Sequence, residues 1–137
     1  MRERSSSSVG VKVFKLDYDY VLREVKSYAE KIVGRGLAKL VVLFGSLAKG
    51  TYTPFSDIDI LIVVEDIAKN PLDRIPVYID PRLPLDVEPR IFTVEEFFKI
   101  VKERRKFAEE IIFHGLFLAG DERLLEEAKK IYLEEKI

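Results

Sequence analysis

Cysteine is absent from this 137-residue chain, which excludes disulfides, thiolate metal sites and cysteine nucleophiles. Amides are almost absent too: Asn70 stands alone and there is no glutamine. With 34% charged residues, that scarcity fits an intracellular protein of a thermophile. No apolar run approaches 18 residues, so no membrane span is expected. The start, Met1–Arg2–Glu3–Arg4 and then four serines, lacks the apolar stretch of a secretory signal, and a cytoplasmic location is expected. There is no excess of one charge: 23 Lys and Arg face 24 Asp and Glu, a formal net of −1. A grip on long nucleic acid usually needs a basic excess, so that class is set aside.

What is present is a single well-fed core. Hydrophobic residues make up 47% of the chain, enough for one domain and too short for two. Residues 1–10 read as a flexible tail and 11–137 as the domain. Val11–Leu16 alternates and reads as an edge strand or an extended lead-in. Asp17 can cap a helix whose apolar positions are Val21, Val25, Tyr28 and Ile32, ended by Gly34 and Gly36. Lys39–Phe44 and Ser56–Val64 are dense in Val, Ile and Leu and read as strands, the second a central one. The excursion 65–84 stays unassigned. Leu85–Phe92 alternates, and Pro89 puts it at or near a sheet edge. Thr93 and Glu96 make a capping box, with Phe92 and Phe97 set as a hydrophobic staple. That helix runs to Gly115, with a break near the Glu103–Lys106 charge run. Leu116–Ala119 suits a short strand, and Asp121 caps a last helix with Leu124, Ala128 and Ile131 inward. Phe97, Phe98 and Phe107 read as core, Arg104–Arg105–Lys106 as a solvated face, and His114 as a helix-end charge partner rather than a metal ligand.

The chemistry concentrates between two strands. The first stops at Gly45–Ser46, where glycine permits a close backbone approach and Ser46 can cap a following helix, a layout that suits phosphate. The second carries Asp57 and Asp59, which the strand period of two turns to one face about 7 Å apart. Two carboxylates on so apolar a strand are costly without cations to compensate. Gly45–x4–Gly50–Thr51 nearly spells a phosphate-binding loop of the P-loop type, but Lys49 precedes the second glycine instead of following it.

The run GSLAKGTYTPFSDIDILIV resembles the signature of the minimal nucleotidyltransferases in the DNA polymerase beta-like superfamily: strand, Gly-Ser, short helix, then Ser-Asp-x-Asp. Lys49 stands where that family commonly has arginine. The resemblance covers Lys39 to Phe92 and implies an α+β fold, a mixed β-sheet flanked by helices. It implies that Gly45, Ser46 and Lys49 contact the triphosphate of a nucleotide, with ATP the expected donor. It further implies that Asp57, Asp59 and a third acid hold two Mg²⁺ ions. Asp86, in the family's apolar–Asp–apolar setting, matches the third acid and could act as general base; Glu88 shares its face and is the alternative. Stand-alone members work beside a HEPN-domain toxin and adenylylate one of its tyrosines, so such a partner is the expected acceptor. Two other outcomes stay open: transfer to a small hydroxylated molecule in a homodimer, and a non-catalytic antitoxin-like binding module.

Overall fold

In the computed structural model, which describes residues 2–53, 55–65 and 75–134, two apolar runs form the middle of a four-stranded sheet. These are β1 (Leu40–Phe44) and β2 (Ile58–Val64), paired antiparallel from Leu40 opposite Val63 to Phe44 opposite Asp59. Every residue of β1 is buried, as is every residue of β2 but Asp59. Near-continuous Val, Ile and Leu is the pattern a strand covered on both faces requires. β3 (Val87–Thr93) pairs parallel with β2 on one side, and β4 (Leu116–Gly120) pairs antiparallel with β1 on the other, giving the order β3-β2-β1-β4. Pro89 therefore lies on an edge strand, where a missing N–H breaks no ladder.

Alternation divides the core into two layers. On one face Val41, Leu43, Ile58, Ile60 and Ile62 pack with Val21, Val25, Tyr28 and Ile32 of α1 (Arg2–Gly34) and with Leu47 of α2 (Gly45–Lys49). On the other, Leu40, Val42, Leu61 and Val63 pack with Phe97 and Val101 of α4 (Val94–Lys102). The same layer takes Ala108 and Ile111 of α5 (Lys106–His114), and Leu125 and Ala128 of α6 (Glu122–Glu134). Each fully buried Leu or Ile side chain contributes roughly 1.5–3 kcal/mol relative to exposure.

The capping box at α4 forms as read. Thr93 Oγ1 accepts from Glu96 N at 3.1 Å, and Glu96 Oε1 accepts from Thr93 N at 2.9 Å. The break between α4 and α5 falls in the expected charge run, with Arg104 at a φ of 56°. Arg104 is not part of a solvated face, however. Its guanidinium sits 3.9 Å from the centre of the Tyr132 ring and donates to the Tyr132 carbonyl, binding the break to the end of α6.

Other details depart from the sequence reading. The first helix begins at Arg2, so Val11–Leu16 is helical rather than extended. A helix meets its own backbone hydrogen bonds, so this segment needs no partner strand. The buried stripe of α6 is Leu125, Ala128 and Tyr132, with Leu124 and Ile131 flanking it, a rotation of about one position. Within the excursion, Asn70–Pro71 lies outside the described residues. α3 (Ile75–Tyr78) is tied down by two hydroxyls: Tyr28 donates to the Tyr78 carbonyl at 2.5 Å, and Tyr78 donates to the Leu37 carbonyl at 2.6 Å. Burial is the main cause that pushes the Tyr28 hydroxyl well above its ordinary pKa.

Candidate active site

The site grows from the point where β1 ends. Gly45 takes a φ of 77° and opens α2, and a Cβ there would collide with Asp59 Oδ2, with Asp59 Cγ only 3.0 Å away. Any other residue at 45 would be strained and would displace the carboxylate. Ser46 does not cap the helix. The N-cap position is Phe44, without a side-chain cap, and the Ser46 hydroxyl instead donates to Ser56 Oγ at 3.1 Å. Ser56 Oγ in turn accepts from Thr53 N at 2.8 Å, so the two serines join α2 to the loop that delivers Asp57.

Asp57 is exposed just ahead of β2, and Asp59 is half-buried within it. Asp86 is exposed one residue before β3, and its carbonyl accepts from Ile58 N at 2.8 Å. In the parallel ladder Asp59 stands opposite Glu88. Val87 and Ile91 pack on the α1 face, which leaves Asp86, Glu88 and Arg90 on the face of Asp59. The Asp59 carboxyl is held above its ordinary pKa, first by burial, then by the like charges of Glu88 and Asp57. Arg90 opposes this rise, and Glu110, from α5, adds to it. Sequence reasoning missed Glu110, because a glutamate at helical spacing reads as one more solvated charge.

Lys49, the last residue of α2, points to α5, its Nζ 3.0 Å from Glu110 Oε2. Beside it a groove of about 550 Å³ is lined by Ala48, Thr51, Phe113 and His114. His114 is the last residue of α5, as expected for a helix-end charge. Among the described residues, no three acids or histidines are drawn together closely enough to hold a metal ion as they stand. The donor set nonetheless fits a hard cation. Hard divalent ions take carboxylate oxygens, and Asp59, half-buried and opposite Glu88 in the ladder, presents such oxygens on one face.

Comparison with known proteins settles the family. The model of the nucleotidyltransferase domain matches residues 22–137. The chain belongs to that family. A Methanocaldococcus jannaschii protein, named provisionally as a protein adenylyltransferase, is 26% identical over 117 residues, covering 70% of this chain and 76% of its own. Among solved structures, a toxin–antitoxin with AMP-PNP superposes with a TM-score of 0.56 at 20% identity, over 81% of this chain and 86% of that chain. A toxin–antitoxin named MntA–HpeT, carrying two Asp-to-Glu substitutions, gives 0.53 at 19% identity, over 77% and 82%. A Sulfolobus solfataricus protein, described provisionally as a nucleotidyltransferase, gives 0.50 at 23% identity, over 77% and 89%. At these identities the likeness is one of fold, and it bears out the α+β, polymerase beta-like architecture. Among the described residues no helix is long and apolar enough to cross a membrane.

Proposed function

We propose that this nucleotidyltransferase domain moves AMP from ATP to a hydroxyl on a protein, a tyrosine of a HEPN-type toxin partner. The observation that carries the reading is Asp59 seated against the backbone of Gly45 and opposite Glu88 in the parallel ladder. The M. jannaschii relative's name supports protein as acceptor, and the toxin–antitoxin neighbours support a toxin as the partner.

In this reading Gly45 and Ser46 seat the β,γ-phosphates by backbone amide and hydroxyl, and Lys49 balances their charge. Asp57 and Asp59, with an acid from β3, would hold two divalent ions. When bound, those ions supply charge neutralisation of the triphosphate and a lower pKa for the acceptor hydroxyl. The acceptor oxygen bonds to the α-phosphorus, the bond to the β-phosphate oxygen breaks, and pyrophosphate leaves. The hydroxyl proton passes to a carboxylate at the start of β3. Asp86 is the residue expected there; the register of Glu88 opposite Asp59 supports a share of the role for Glu88.

The test uses purified protein, Mg²⁺, α-labelled ATP and the product of the neighbouring operon gene. Label on that partner, lost by at least about 10²-fold in Asp57→Ala and in Asp59→Ala, is the expected outcome. Complex formation and neutralisation that survive both substitutions, with no label transferred, would instead make the chain a stoichiometric binding module. Asp86→Ala and Glu88→Ala, compared under the same conditions, divide the third acid's role between them.

A further inference from the structure

We infer that Glu110 of α5 is a positioning residue for Lys49, fixing the ammonium that meets the triphosphate; the inference rests on the proposed reading of Lys49. The two charged ends are 3.0 Å apart, and both side chains are about two-thirds covered, at 37% and 28% exposure. Glu110 Oε2 is buried and has no hydrogen bond of good geometry, so the pair is one of charge and proximity rather than of an aligned donor. A carboxylate oxygen placed this way is costly unless its charge is used.

Its location sharpens the point. Glu110 pairs with the last residue of α2 and is also near enough to Asp59 to add, as the least of several causes, to the rise of that carboxyl. A contact serving only to pack α2 on α5 would gain nothing from adding repulsion there. Lysine carries its charge on a flexible four-carbon stem, and a fixed carboxylate narrows the positions that the charge visits. An ammonium has three donors, so Lys49 can keep Glu110 and still donate to phosphate oxygens. The backbone beneath is equally fixed, since α2 closes at Gly50 in the left-handed conformation, with its N–H on the Ser46 carbonyl. Glu110 thus acts on the nucleotide through Lys49 and does not touch it.

Calorimetric titration of the whole chain with a non-hydrolysable ATP analogue and Mg²⁺ tests this. Glu110→Gln, close in shape and without charge, is expected to weaken binding about three- to tenfold. Lys49→Gln weakens it at least as much, and the double variant binds no worse than Lys49→Gln alone. Glu110→Asp keeps the charge and falls between Glu110→Gln and the parent, and it serves equally if Glu110→Gln does not fold. Parent-like or tighter binding by Glu110→Gln, or a double variant that shows the sum of the two single losses, overturns the role of Glu110 and leaves the nucleotide site standing. A parent chain that does not bind the analogue overturns both.

Discussion

Positions 57, 59, 61 and 63 share one face along a single strand and its lead-in, yet they divide into two halves of opposite character. Leu61 and Val63 are fully buried in the layer with α4, α5 and α6, while Asp57 is exposed and Asp59 half-buried. The strand geometry is the same throughout, so the difference lies in what covers it. The three helices cover Leu61 and Val63 but leave Asp57 and Asp59 open, although α5 reaches α2 there through Glu110 and Lys49. The buried half supplies the rigidity, and the open half tolerates charges that repel each other. A mutually repelling acid cluster is bearable because the strand under it is anchored by its own apolar continuation.

Breaking the buried half should have the larger effect on folding. Leu61→Ala is expected to cost about 2–5 kcal/mol of unfolding free energy, read by urea denaturation, because the rigid layer cannot close over the lost volume. Gly45→Ala sits at the boundary. Its forced φ and the collision with Asp59 should cost roughly 1–3 kcal/mol and weaken nucleotide binding as well; an unchanged denaturation midpoint would show that the turn relaxes freely. In the open half the sign reverses. Asp59→Asn removes one member of a repelling set, so without divalent ions it should raise the melting temperature by roughly 1–4 °C, while abolishing transfer. Added Mg²⁺ should stabilise the parent more than this variant, narrowing the gap. Equal melting temperatures without metal would mean that the repulsion is relieved in some other way.

The smallest effect is expected far from the site, at the cap of α6. Arg123 holds the Asp121 carboxyl below its ordinary pKa, chiefly through a side-chain hydrogen bond. A depressed folded-state pKa gives stability that is present above the unfolded value, about 3.9, and lost as pH falls through the folded one. Asp121→Asn should therefore melt slightly lower than the parent at pH 7 and alongside it near pH 2. A difference that persists at the acidic end would point to the backbone cap instead of the charge.

The halves also differed in how far they could be read from residues alone. The strands, the capping box, the break at Glu103–Lys106 and the edge position of Pro89 all follow from period and punctuation, which are local properties. So does the pairing of Gly45 with the Asp57–Asp59 strand, because the motif is short and its parts are close in sequence. Glu110 was not legible. It reaches the site from more than fifty positions away, through the packing of α5 on α2, and nothing local distinguishes it from its neighbour Glu109. Ser46 was misread for a related reason: its hydroxyl had a local use as a cap, and a partner ten residues on, Ser56, took it instead. The extent of α1 was missed because alternation at Val11–Leu16 mimics a strand, whereas these residues continue the helix that runs from Arg2 to Gly34.

The parallel ladder that sets Asp59 opposite Glu88 has a consequence for how this chain can change length. The two acid-bearing segments run side by side in the same direction, so the site obeys a rule of parity. Deleting Val87, inside the strand, would keep Glu88 opposite Asp59 but carry Asp86 to the face of α1. Deleting two would keep odd with odd and even with even. Insertions and deletions in pairs should thus be survivable where single ones are not, although the smaller edit looks the gentler on paper.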